Sequence, residues 1–180
     1  MALVGDTGWV QAYTVASGII VQQQQVLLVQ NKRRNGSLDW STPGGVVDPG
    51  EEVLEALQRE VIEETAVIVD GWSQLLYTVD VDFVGSDMTL HAQVFRAHGF
   101  AGELHVDDPD HVVVDACWAD SIAAQTLLET SPPWVHEPLL HELRSVLAGR
   151  DPEAPSPSPW TYRVTGKPGG FVTERVQTPD

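Results

Sequence analysis

Gly45 to Val67 reads G-V-V-D-P-G-E-E-V-L-E-A-L-Q-R-E-V-I-E-E-T-A-V. A helix over Glu51 to Thr65 fits this stretch, and it places Glu60 three and four residues before Glu63 and Glu64, so that three carboxylates share one side. Like charges at that spacing destabilise a helix by about 0.2 to 0.5 kcal/mol per pair. Glu63 and Glu64 also stand near the C-terminal end, where the helix dipole disfavours negative charge. A hard divalent cation reverses both terms, because magnesium prefers oxygen ligands and sits between carboxylates and substrate phosphates. Val53, Leu54, Leu57, Val61 and Ile62 supply an apolar stripe for burial on the opposite face. A merely solvated acidic face is the plain alternative in a chain this acidic.

The residues before the helix favour a built site. Pro43-Gly44-Gly45 and Asp48-Pro49-Gly50 hold the backbone in tight turns on both sides of Val46-Val47, which would offer backbone N–H groups and a helix N-terminus to an anion. The whole segment resembles the signature of the Nudix hydrolases. Gly45 fits the first glycine, Glu51 the following glutamate, Arg59-Glu60 the central pair, Val61 an aliphatic position, Glu63-Glu64 the acidic pair and Val67 the closing aliphatic. Ala66 stands where the family has glycine. If that position is left-handed, alanine costs about 1 kcal/mol relative to glycine, and the end of the helix is expected to shift.

The resemblance covers, loosely, residues 10 to 147. It implies an α+β fold, an α/β/α sandwich with a mixed β-sheet packed between helices. It also implies Mg2+-dependent hydrolysis of a pyrophosphate bond in a nucleoside diphosphate linked to another moiety, with Mn2+ as a substitute. Metal-held water would be the nucleophile, since coordination makes water competent and neutralises phosphate charge. By resemblance Glu60, Glu63 and Glu64 are the metal ligands, with Gly45 beside them, and Glu51 either joins them or steadies Arg59. Glu60 or Glu64 would accept the proton of the water. A further carboxylate often precedes a tryptophan motif in the family. Trp118 looks like that tryptophan, leaving Asp107, Asp108, Asp110 and Asp115 as candidates, of which Asp110, next to the titratable His111, has the preferred loop position.

Lys32, Arg33 and Arg34 form a basic cluster between a strand and the Pro43 turn, placed to lean over phosphates or to be a solvated loop. Trp40, Tyr77, Phe83, Trp118 and Trp134 are eligible to stack on a base, although aromatics at such positions are more often core. A Nudix-like module that binds a nucleotide or a protein without cleaving it is the rival reading, although such a module gains nothing from the repulsion among the glutamates.

Composition bounds the rest. The 180 residues, 42% of them hydrophobic, can bury one good core. A formal charge of −16 with only 10 Lys and Arg argues against binding polymeric nucleic acid. Phosphate-bearing substrates then require cations at the site. No basic start followed by an apolar run, and no stretch approaching 18 apolar residues, is present, so the expectation is a cytoplasmic protein without a membrane span. Cys117, in an apolar run, reads as a core thiol.

The patterning divides the chain into a domain over 1–149 and a tail over 150–180. Strands are expected over Val10 to Val21 and Val26 to Gln30, joined by a polar glutamine tip, then over Leu38 to Ser41. Val69 to Phe83 and Met88 to His98 suggest a long hairpin with a bulge, and Val112 to Trp118 another strand. Helices are expected over Ser121 to Leu128 and Val135 to Leu147. Asp151 to Pro159 should be extended and exposed, after which Trp160 to Val164 and Gly170 to Val172 recover strand character. Trp160, Tyr162 and Phe171 would dock on the domain or on a second copy, with a homodimer favoured.

Overall fold

The computed structural model describes residues 11–150, 158–167 and 170–176. Eleven strands and three helices follow in the order β1 Gln11–Ile19, β2 Val21–Gln22, β3 Gln25–Lys32, β4 Leu38–Ser41, β5 Gly44–Val46, α1 Val53–Thr65, β6 Ile68–Trp72, β7 Tyr77–Phe83, β8 Met88–Ala101, β9 Val113–Ala119, α2 Ser121–Leu128, α3 Pro133–Val146, β10 Trp160–Thr165 and β11 Val172–Val176. Val10 and Asp151 to Pro157, within the expected elements above, lie outside the described residues.

The larger sheet runs β11-β10-β7-β8-β1-β5, with β6 paired to the far half of β8. It is mixed, because β1 pairs with β8 and β10 with β7 in parallel while the other ladders are antiparallel. The smaller sheet carries β2 and β4 on β3, with β9 also on β3. The single strand expected from Val69 to Phe83 is two, interrupted over 73–76, and β8 is long enough to pair with both. The register slips in the β6–β8 ladder, around the Gly71 and Gly99 pair, where a glycine backbone tolerates irregular pairing. The glutamine run is a hairpin tip, and Gln23 and Gln24 both take positive φ, 46° and 62°. That is the backbone a two-residue hairpin turn demands.

Alternating burial along β7, with Tyr77, Val79, Val81 and Phe83 inside, feeds one apolar cluster closed by Leu128 of α2 and Leu139, Leu143 and Val146 of α3. A second cluster joins Leu57 and Val61 of α1 to Ala16, Ile20, Leu27, Val69 and Phe95. The helices therefore cover opposite faces of the β-structure. Leu54 and Ile62, assigned to the buried stripe of α1 by pattern, are exposed, so its buried face is narrower than expected.

The C-terminal segment extends the larger sheet. Tyr162 and Val164 of β10 enter the first cluster, and the Tyr162 hydroxyl donates to Glu137 Oε2 at 2.9 Å. Phe171 meets Phe83 edge-on at 6.0 Å, and the Arg175 guanidinium lies 3.9 Å from the Trp160 ring centre. These aromatics dock on the domain itself. Among the described residues no helix is long and apolar enough to cross a membrane.

Candidate metal and phosphate site

Helix α1 begins at Val53, two residues later than expected, because Asp48-Pro49-Gly50-Glu51 closes as a separate turn in which Glu51 N–H donates to Asp48 O at 3.0 Å. Proline presets the first central position of such a turn, and Gly50 takes φ 88° at the second. At the other end the helix stops at Thr65, with no shift. Ala66 adopts φ 57°, ψ 7° and its N–H caps Ile62 O. Alanine thus occupies the left-handed position and carries its steric cost.

Arg59 organises the near side of the acidic face. Its Nε and Nη2 reach the two oxygens of Glu51 at 3.0 Å each, and its Nη1 reaches Glu60 Oε1 at 2.8 Å and Glu63 Oε2 at 3.3 Å. The Arg59 hydrogen bond holds the Glu51 carboxyl below its ordinary range, and the guanidinium is itself made more basic, chiefly by Glu51. Of the two roles open to Glu51, steadying Arg59 is the contact that forms.

The far side is different. Glu64 is only 6% exposed, and its Oε2 accepts the Gly44 N–H at 2.9 Å. Burial pushes its carboxyl up to about 8, with the charges of Glu60, Asp108 and Glu63 adding to the rise. Burial also raises Glu60 against the opposing pull of Arg59, and the charge of Asp110 contributes. The glycine pair makes room for this. A Cβ on Gly45 would lie 2.6 Å from either oxygen of Glu60, and one on Gly44, at φ 143°, would lie 2.8 Å from Ser17 Cα.

These groups fit a hard cation. They are all-oxygen donors, Glu64 is buried with no cation beside it among the described residues, Glu60 is half-buried and raised by burial despite Arg59, and the backbone opposite them lacks side chains. Among the described residues no three carboxylate, imidazole or thiol groups are already gathered closely enough to enclose an ion. Arg59 spreads the carboxylates of Glu60 and Glu63 toward itself.

The loop before β9 separates the aspartate candidates. Asp108 is buried and accepts from the backbone of Asp110, Val112 and Val113. Asp110 and His111 are exposed, with His111 at φ 55°. Asp107 is exposed, and Asp115 accepts from the N–H of Ala116. Lys32 ends β3 next to this loop, its N–H donating to Val112 O at 2.8 Å. Arg33 instead forks onto Asp39 with two bonds of 2.6 Å, bracing the β3–β4 hairpin. Arg34 sits in the exposed turn with no ion-pair partner among the described residues.

Trp134 lies edge-on to Phe83 at 5.6 Å and, partly buried, packs against the first cluster. Trp118 stacks on Phe100 at 5.3 Å beside the second. Burial raises the Cys117 thiol, so it is not a ready nucleophile. Two supporting residues went unseen in the sequence. Ser131 exchanges hydrogen bonds with the backbone N–H and C=O of Trp40, and Ser17 Oγ meets Thr42 Oγ1 at 2.6 Å. Neither serine has a sequence signal, because both act across more than twenty residues.

The family model described as NUDIX domain matches residues 12–143. An oxidized purine nucleoside triphosphate hydrolase of Danio rerio is 30% identical over 112 residues, which are 58% of this chain and 71% of that protein. A putative 8-oxo-dGTP diphosphatase of Bacillus subtilis (strain 168) is 51% identical over 55 residues, 29% of this chain and 35% of its own length. The crystal structure of a MutT NUDIX hydrolase from Burkholderia pseudomallei superimposes with a TM-score of 0.56 at 29% identity, covering 68% of this chain and 99% of its own. The E. coli ORF135 solution structure, at 21% identity, shares the fold with a TM-score of 0.61 over 83% of this chain and 100% of its own. The chain belongs to the Nudix hydrolase family, and its mixed sheet packed between helices is the α+β fold of that family.

Proposed function

We propose that this protein hydrolyses a pyrophosphate bond in a nucleoside diphosphate linked to another moiety, using Mg2+ or, in its place, Mn2+. The observation that carries this reading is the pairing of Glu60 and Glu64, both raised by burial, with the side-chain-free backbone of Gly44 and Gly45. Glu60, Glu63 and Glu64 would hold the cation. Its chemistry would be to lower the pKa of a bound water and to neutralise phosphate charge. Glu51 fixes Arg59, and Arg59 orients Glu60 and Glu63. Glu60 or Glu64, which stand next to Gly45 and Gly44 respectively, would accept the proton of the attacking water. Asp110 would act at the same site through its charge near Glu60.

Lys32 and Arg34, without an ion pair among the described residues, would meet the phosphates, whereas Arg33 supports their turn through Asp39. Trp134 is half-buried, edge-on to Phe83 and Phe171, and would be the aromatic that meets the base. The names of the similar proteins make oxidised purine nucleotides the first substrates to test. Purified protein with Mg2+ should release pyrophosphate or phosphate from 8-oxo-dGTP, phosphate from 8-oxo-dGDP, or AMP and ribose 5-phosphate from ADP-ribose, with turnover lost on chelation. A protein that binds one of these nucleotides and leaves all of them intact would be the binding module instead.

A further inference from the structure

Asp108-Pro109-Asp110-His111 closes as a β-turn, His111 N–H donating to Asp108 O at 3.1 Å. The Asp108 carboxylate does more than start it. Oδ1 accepts the Asp110 N–H at 3.0 Å, and Oδ2 accepts those of Val112 and Val113 at 2.7 and 2.8 Å. An ionised carboxylate has roughly four acceptor sites. With three of them filled by the loop's own backbone, Asp108 is poorly placed to ligate a metal. The same carboxylate gathers both ends of the loop. Through Val113 it fixes the first residue of β9, and through Val112, whose carbonyl accepts the Lys32 N–H, it ties the loop to the end of β3. Asp110 sits between these anchors with an exposed side chain.

We propose that Asp108 is a positioning residue for Asp110, its carboxylate fixing the loop so that Asp110 stands at a set place relative to Glu60. This rests on the hydrolytic reading above. Exposed loop tips move freely unless their backbone is hydrogen-bonded. A buried carboxylate on three amides supplies that restraint within five residues. It also explains why a charged group is kept in a buried place where it adds to the repulsion felt by Glu64.

The test is a double-mutant cycle on Asp108→Asn and Asp110→Asn, read as kcat with the nucleotide found to be turned over and as Mn2+ affinity by electron paramagnetic resonance. Asp108→Ser is a second variant that keeps one acceptor if Asp108→Asn folds poorly. Each single substitution should lower kcat about tenfold or more and weaken Mn2+ binding, as expected when a group is displaced by an ångström or so. The double variant should match Asp110→Asn within about twofold, because the second change has nothing left to misplace. Penalties that multiply overturn the proposal, since a purely structural Asp108 would cost as much without Asp110 as with it. An Asp110→Asn protein unchanged in both readouts overturns it as well. If the wild-type protein turns over no nucleotide, the hydrolytic reading fails on its own, and non-additivity in Mn2+ affinity still decides the role of Asp108.

Discussion

Glu51, just before α1, and Glu64, in its last turn, meet opposite surroundings on the same side of the molecule. Glu51 is gripped by both arms of Arg59 and receives the Asp48 N–H as well, so its negative charge is favoured. Among the described residues Glu64 has one backbone N–H, no cation, and three carboxylates whose charges oppose its own. A chain with 26 acidic and 10 basic residues has few cations to distribute. Arg59 neutralises the end that frames the site and leaves Glu64, at the other end, uncompensated. Stability is withheld where an external cation would be needed, as expected when strain is kept at functional positions.

The largest test breaks the uncompensated end. Glu63→Gln combined with Glu64→Gln should lower Mg2+-dependent turnover by about 10² to 10⁴, the range for removing acid–base and electrostatic groups, while circular dichroism stays that of the wild type. Full turnover in the double variant would sink the assignment.

The same residue sets a pH dependence of stability. The folded-state value of Glu64 is about 8 against an ordinary 4.5, so between these values the native chain binds a proton that the unfolded chain has lost. Stability from this group is therefore complete below about pH 4.5 and falls as the pH rises toward 8, by an amount on the order of a few kcal/mol at most. Glu51 has the opposite sign, its contribution present above the ordinary value and lost as the pH falls. Glu64→Gln keeps an acceptor for the Gly44 N–H and removes the charge. It should raise the melting temperature of metal-free protein at pH 8 and do little at pH 5. A variant less stable than wild type at pH 8 would mean that Glu64 is not under electrostatic strain.

Both ends of this contrast were partly legible in the sequence. The spacing of Glu60, Glu63 and Glu64 placed three carboxylates together, and the Pro-Gly-Gly run located the backbone facing them. The Asp48-Pro49-Gly50 turn was read from its composition, whereas the matching Asp-Pro turn at Asp108 was not. Which carboxylate would be buried was not legible, because Glu63 and Glu64 are neighbours in sequence and only the packing of α1 on β1 and β5 sends one inward. Arg33 and Arg34 pose the same difficulty. The hairpin register sets Asn31 opposite Asp39, and this brings Asp39 within reach of Arg33, a pairing that depends on the turn length. The place of β10 beside β7 was beyond reach, since a parallel partner just over eighty residues away leaves no local pattern.

That difference between neighbouring arginines can be measured. Arg34→Ala should raise KM several-fold with kcat nearly unchanged, the mark of lost ground-state phosphate binding, for an exposed charge contributing about 1 kcal/mol. Arg33→Ala should instead lower stability, because it strands the nearly buried Asp39 without its fork. Equal KM effects from the two substitutions would show that the Asp39 pairing does not divide their roles.

The smallest expected effect lies at the residue that ends the acidic helix. Ala66 holds φ 57° with its N–H on Ile62 O, so the turn is already formed and glycine would not need to reshape it. Ala66→Gly removes the clash of a Cβ with the neighbouring backbone, worth about 1 kcal/mol, against a smaller loss because the unfolded chain gains freedom. The net should be a rise in melting temperature of about 1 to 3 °C. Because Glu63 and Glu64 lie within three residues of Ala66, the same variant asks whether the helix end is set by its cap or by the Glu64 contact to Gly44. If the contact sets it, kcat and Mg2+ dependence stay at wild-type values while stability rises. A change in kcat with no gain in stability would place the strain of Ala66 among the features that aim the glutamates.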